Sequence, residues 1–175
     1  MILVLIGYMG SGKSSIGKKL SKKLDWDLVD LDDYIVAKEA CSIKEIFDNK
    51  GEKYFRDKEK YYLHELLNTK KNSILSLGGG TPCFENNMDH ILASEDTKSF
   101  YLKSSLNKLT DKLILKKEKR PLIANIETKE ALRNFIKGHL SDRTPYYEKA
   151  TYHVTTDNKK KKEVVTEIYK VLKSN

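Results

Sequence analysis

Lys13 and Ser14 close the run Gly7-Tyr8-Met9-Gly10-Ser11-Gly12, which follows the apolar residues Ile2 to Ile6 without a gap. The pattern G-x-x-x-x-G-K-[ST] between a buried strand and a helix is a P-loop, and it carries a mechanism. Glycines let backbone N–H groups close around phosphate oxygens at the positive end of the following helix. Lys13 would reach the outer phosphates, and the Ser14 hydroxyl would take a place on Mg²⁺. The expected ligand is a nucleoside triphosphate.

Other groups could complete a site. Asp30 and Asp32 stand just past a short apolar pair, Leu28-Val29, where an open α/β sheet collects ligands beyond its strand ends. In an extended segment alternate residues point the same way, so one carboxylate could act through Mg²⁺ and the other on a substrate hydroxyl. An acidic turn capping a helix fits the same residues. Arg56 offers a planar fork for a carboxylate or phosphate, with Glu59 three residues on to orient it; an ordinary surface ion pair is the alternative. Gly78, Gly79 and Gly80 follow an apolar run at 74–77, where close approach to a ligand or a flexible loop would each account for them. Arg120 and Arg143 could close on phosphates and an anionic substrate, although Arg143 would also suit a helix C-terminus. None of the four histidines is placed like a nucleophile's partner, and His139 reads as a core residue.

These groups need a scaffold. Apolar runs at 2–6, 28–29, 74–77, 100–102 and 152–154 alternate with helical patterns, which argues for a parallel sheet covered on both faces. The helix after the P-loop presents Ile16, Leu20 and Leu24. Ser42 and Glu45 form a capping box ahead of a further helix. Others are expected at 57–68, at 128–141 with Leu132, Phe135, Ile136, His139 and Leu140 inward, and at 162–173 with Val165, Ile168, Tyr169 and Leu172 inward. The lysine-rich segment 112–125 reads as a mobile lid.

At 175 residues the chain suits one domain, with no linker and no repeat. No apolar stretch approaches the roughly 20 residues of a membrane span, and the first strand starts too early for a signal peptide. Cys41 and Cys83 sit in no metal-ligand spacing, so a reducing cytoplasm is expected. The net charge of +8 suits anionic ligands, and the one dense lysine run, 159–162, comes with no nucleic-acid-binding motif.

Taken in order, G-Y-M-G-S-G-K-S, D-L-D, F-R-D-K-E, L-G-G-G, K-R-P-L and D-R-T-P-Y-Y resemble the shikimate kinase family over positions 7 to 147. The resemblance implies an α/β P-loop kinase fold in three layers. Its five-stranded parallel sheet would be ordered 2-3-1-4-5 and flanked by helices. It implies a single domain over 1–175, with a substrate-binding region at 32–61 and the lid at 112–125. The implied activity is ATP-dependent, Mg²⁺-assisted phosphorylation of the 3-hydroxyl of shikimate, on the way to chorismate and the aromatic amino acids. ATP would be held by Gly10, Ser11, Gly12, Lys13, Ser14, Ser15, Arg120 and Lys160, and Mg²⁺ by Ser14 and Asp30. Shikimate would be held by Asp32, Arg56, Gly78, Gly79, Gly80 and Arg143. Asp32, Lys13 and Arg120 would be the catalytic groups, and the protein would act as a monomer without nucleic acid or membrane.

The sequence departs from the family pattern at the base of the nucleotide. An arginine often packs on adenine from the helix before the lid; here only Lys112 stands near that position. The adenine loop, 156–160, matches by place more than by identity. Two rivals follow: a gluconate-type kinase of the same fold, and a nucleotide-dependent RNA-binding or regulatory protein using lysines 159–162.

Overall fold

Five consecutive apolar residues form β1 (Ile2–Ile6), and all five are buried. In the computed structural model, which describes residues 1–174, this strand lies at the centre of the sheet. A central parallel strand is covered on both faces, so its side chains alternate between two cores. Ile2, Val4 and Ile6 enter one core, Leu3 and Leu5 the other.

The chain continues through α1 (Lys13–Leu24), β2 (Asp27–Asp30), α2 (Leu31–Glu39), α3 (Ile43–Thr69) and β3 (Ser73–Ser76). After a 3-10 turn at Thr81–Cys83 come α4 (Asn87–Ala93), β4 (Thr97–Lys103) and α5 (Leu106–Ile114). Two more 3-10 turns, Lys117–Lys119 and Pro121–Ile123, lead to α6 (Lys129–Tyr147), β5 (Tyr152–Thr155) and α7 (Lys161–Lys173). Every ladder is parallel and the order is β2-β3-β1-β4-β5, as the resemblance implied. The neighbours of β1, strands β3 and β4, lie on opposite sides of it, which makes its carboxyl end a crevice for ligands.

One face of the sheet packs on α1 and α7 through Ile16, Leu20, Val165, Ile168 and Leu172. The other packs on α2, α3, α5 and α6 through Ile35, Leu63, Leu66, Leu109, Leu113, Leu132 and Ile136. The Ser42–Glu45 capping box forms in both directions: the Glu45 amide donates to Ser42 Oγ at 3.2 Å, and the Ser42 amide donates to Glu45 Oε2 at 2.7 Å. The helix it starts runs on to Thr69, broken only at Gly51, whose φ of 81° leaves the helical region.

Three helices lie where none was expected from periodicity: α2, α4 and α5. All three are short, at 9, 7 and 9 residues. The helix expected to end at residue 141 continues to Tyr147 with Pro145 inside it. Proline removes a single backbone donor, and one more turn survives here because Tyr147 is fully buried. In α7, Val164 is buried while Tyr169 is half-exposed, its ring 4.3 Å from Lys23 Nζ, so the inward stripe is rotated from the expected one.

Candidate active site

The turn after β1 is built by glycine. Gly12, the N-cap of α1, has φ 110°, a conformation that residues with a Cβ rarely adopt. The turn leaves Lys13 as the first residue of α1 and buries it. Its Nζ donates to the carbonyls of Gly7 at 2.6 Å and Tyr8 at 3.2 Å. Burial pulls the ammonium down to about 8, against the opposing pull of Asp32 and Asp30. Such a charge, stripped of water, is held ready for an anion.

A cavity of about 300 Å³ opens above it, lined by Gly10, Gly12, Ser14, Ser15 and Lys13 on one side. Asp30, Asp32, Ser76, Gly78, Gly79 and Arg120 close the others. Ser11 does not line it: Ser11 is buried, and its amide donates to the Tyr8 carbonyl at 3.1 Å.

Asp30 ends β2 and caps α2, accepting the Asp32 amide at 3.2 Å. Its other oxygen faces Ser76 Oγ at 3.0 Å and Ser14 Oγ at 3.4 Å. The capping and the site readings of Asp30 therefore hold together, one oxygen for each. Asp32 shares the cavity for a different reason than extended-strand alternation, because it lies in the first turn of α2. Burial, then Asp30 and Glu59, push its carboxyl up to about 6, while Lys13 opposes them.

Behind this cavity stand two arginines against the glycine loop. Arg56, on α3, donates from Nη1 to Glu59 Oε2 at 2.8 Å, and from Nε and Nη2 to Glu52 Oε1, each at 3.2 Å. Its guanidinium lies 3.9 Å from the centre of the Phe84 ring. Glu59 is buried and also accepts the Thr81 hydroxyl at 2.5 Å. The pairing is thus more than the surface ion pair the sequence left open. A Cβ on Gly80 would sit 3.1 Å from Arg56 Nη1, which gives one physical reason for glycine there. Arg143, on α6, reaches the same loop from the other side: a Cβ on Gly79 would lie 3.4 Å from its Nη1. Arg143 is half-buried and, among the described residues, forms no ion pair with a carboxylate.

Arg120 lies between the two 3-10 turns that follow α5 and reaches the phosphate side of the cavity. Lys112 and Lys116 line the same side, and Lys112 Nζ donates to the Gly10 carbonyl. Burial lowers the Lys112 ammonium, and Lys161, Lys108, Lys116 and Arg120 lower it further. The sequence pattern did not point to Lys116: α5 ends at Ile114, so Lys116 and Arg120 lie beyond it and only the fold brings them beside Lys112. Lys160 does not line this cavity; it is the exposed N-cap residue of α7, with its amide on Glu163 Oε2 at 2.7 Å. The loop that leads to it is tied to α5 instead, through Ser105 on Asp157 and Lys108 Nζ on the Thr156 carbonyl. His139 is half-buried with its Nδ1 2.9 Å from the Tyr8 hydroxyl, so it is satisfied but not enclosed in the core.

A parallel sheet ordered 2-3-1-4-5, with a P-loop at the carboxyl end of its central strand and a carboxylate facing that loop, defines a P-loop kinase. The shikimate kinase family model matches residues 9–173. A shikimate kinase of Flavobacterium psychrophilum is 44% identical over 171 residues, covering 97% of this chain and 98% of that one. The crystal structure of shikimate kinase from Bacteroides thetaiotaomicron superposes with a TM-score of 0.89 at 31% identity, covering 99% of this chain and 98% of that one. Shikimate kinase from Acinetobacter baumannii in complex with shikimate gives 0.83 at 28% identity, covering 99% and 93%. The chain belongs to the shikimate kinase family.

Proposed function

We propose that the protein transfers the γ-phosphoryl group of ATP to the 3-hydroxyl of shikimate. The observation that carries this reading is the placement of Asp32 in the same cavity as Lys13, with Arg56 and Arg143 on the glycine loop beside it. A phosphate donor, a hydroxyl and a carboxylate each then have a partner of suitable chemistry. The gluconate-type alternative is not favoured, because the family match spans nearly the whole chain. The RNA-binding rival loses part of its basis, since Lys159 of the lysine run is paired with Glu167 at 2.6 Å.

Shikimate would lie with its carboxylate on Arg56 and Arg143, over Gly78, Gly79 and Gly80, and its 3-hydroxyl at Asp32. The P-loop amides of Gly10 to Ser15 would cradle the phosphates, with Lys13 and Arg120 neutralising charge on the transferring group. The hydroxyl oxygen forms its bond to the γ-phosphorus as the bond to the β-phosphate oxygen breaks, and ADP departs. Asp32 holds the hydroxyl by accepting its hydrogen bond and takes the proton, early or late according to how loose the transition state is. Ser14 and Asp30 provide the hydroxyl and carboxylate oxygens that suit Mg²⁺, which usually keeps few protein ligands beside substrate phosphates. When bound there, Mg²⁺ would neutralise phosphate charge. Lys160 sits apart from these phosphate contacts and would serve ATP only at the adenine end.

Residues 112–125 would act as a lid bringing Arg120 to the phosphates, and residues 32–61 as the acceptor-binding region of one domain spanning 1–175. Every residue invoked comes from one chain, so a monomer suffices. No helix among the described residues is long and apolar enough to cross a membrane, and the unpaired Cys41 and Cys83 suit a reducing cytoplasm. A coupled ADP-release assay tests the reading: release should require shikimate and survive neutralisation of lysines 159–162. Equal release with and without shikimate would overturn it.

A further inference from the structure

Three residues of α6, His139, Arg143 and Tyr147, are spaced four apart and so share one face of the helix. Each reaches a different part of the site. His139 Nδ1 meets the Tyr8 hydroxyl at 2.9 Å, the rings edge to face with centroids 5.7 Å apart. The Tyr147 hydroxyl donates to the Gly79 carbonyl. Arg143 lies between these two attachments, its guanidinium 5.9 Å from the centre of the Tyr8 ring.

The arrangement contrasts with Arg56, which two carboxylates and an aromatic face hold in place. Arg143 forms no such ion pair among the described residues. A long side chain gives up rotamer freedom when a ligand fixes it, so its root must be held by something else. Tyr8 is suited to do this because it belongs to the phosphate-binding turn. Its carbonyl accepts from Lys13 Nζ and from the Ser11 amide, while its side chain points away to α6.

We infer that Tyr8 and His139 are positioning residues. Their hydrogen bond, with the Tyr147–Gly79 bond one helical turn beyond Arg143, fixes Arg143 relative to the phosphate-binding turn and the glycine loop. This rests on the reading of Arg143 as a shikimate-carboxylate ligand. The protonation states agree: burial pushes the Tyr8 phenol up to about 12, keeping it a donor. Burial and Arg143 lower the His139 imidazole against the opposing pull of Asp142, which favours the neutral ring on balance. Nδ1 then accepts the Tyr8 hydroxyl in the tautomer protonated at Nε2. Neither residue touches the substrate; both act through Arg143.

Shikimate and nucleotide dissociation constants, measured by calorimetry, would test this in the wild type, Tyr8→Phe, Arg143→Ala and the double variant. Tyr8→Phe keeps the ring and removes only the hydroxyl. It should weaken shikimate binding about three- to tenfold, the scale of one hydrogen bond, and change nucleotide binding less than about twofold. In the Arg143→Ala background the same change should have no further effect on shikimate, because the residue acts through that arginine. His139→Leu should match Tyr8→Phe, and His139→Asn, which keeps an acceptor near the Nδ1 position, should recover much of the affinity. If Arg143→Ala weakens shikimate binding but Tyr8→Phe and His139→Leu do not, this inference is wrong and the role of Arg143 stands. Equal losses from Tyr8→Phe in both backgrounds would make the bond merely structural. If Arg143→Ala itself leaves shikimate affinity intact, the reading of Arg143 fails and the inference goes with it.

Discussion

The phosphate end and the acceptor end of the cavity are charged in opposite manners. At the phosphate end one contiguous turn, Gly7 to Ser15, supplies backbone amides and a lysine that is buried and held by two carbonyls. At the acceptor end the charge comes from Asp32 on α2, Arg56 on α3 and Arg143 on α6, brought together only by packing. The arginines at that end differ again: Arg56 is neutralised in advance by Glu52 and Glu59, whereas Arg143 has no carboxylate partner among the described residues. On the proposed mechanism the phosphate end would be generic to phosphoryl transfer, whereas the acceptor end would also set which molecule receives the phosphoryl group.

The sharpest way to break this contrast is Lys13→Ala. It removes a preorganised charge at the transferring phosphoryl group, and turnover should fall by about two orders of magnitude or more. Single-turnover kinetics would check it, and near-normal rates would remove Lys13 from the chemistry.

Asp32→Asn should abolish most phosphoryl transfer while ATP still binds, because an amide cannot take the hydroxyl proton. It should also stabilise the fold. Asp32 holds its proton up to about 6, against 3.8 for an unshifted aspartate. Between those values the folded chain keeps a proton that the unfolded chain has lost, so this group's contribution to stability falls as pH rises. The variant should therefore gain roughly 1–3 kcal/mol at pH 7.5. The gain should shrink toward zero below about pH 4, as denaturant melts across that range would show. On the proposed mechanism the ionised form is the working one, so kcat/KM should drop on the acid side near that pKa, a limb absent from the variant's residual rate.

The two arginines sharpen the contrast within the acceptor end. Arg143→Ala should weaken shikimate by about 2–5 kcal/mol, as for a lost desolvated charge pair, with ATP far less affected. Arg56→Ala should weaken shikimate too, but it also strands the buried Glu59 carboxylate. It should cost about 1–3 kcal/mol of fold stability that Arg143→Ala does not. Equal melting losses from the two variants would erase the distinction. The smallest expected effect is at Lys13 itself. Because burial lowers it to about 8, nucleotide binding at pH 8 should take up a proton, visible as a buffer-dependent enthalpy.

The phosphate end was legible in the sequence because its geometry is local: strand, glycine turn and helix are adjacent in the chain. The central strand and the α3 capping box were legible for the same reason. The acceptor end was not, since spacing alone could not tell Arg56 from a surface ion pair or the Asp30 and Asp32 pair beside it from a helix cap. Family resemblance supplied those roles, and tertiary structure showed that Asp30 caps the helix and meets Ser14 at once. Short helices such as α4 and α5 were missed because seven to nine residues carry too little periodicity. The Tyr8–His139 bond spans 131 positions, beyond the reach of any local pattern.

The most direct measurement is a proton–phosphorus correlation spectrum of the product after incubation with ATP, Mg²⁺ and shikimate. The account predicts one new phosphate monoester, coupled to the proton on carbon 3 of shikimate, appearing together with ADP. A monoester on another carbon, or ADP with inorganic phosphate alone, would contradict it.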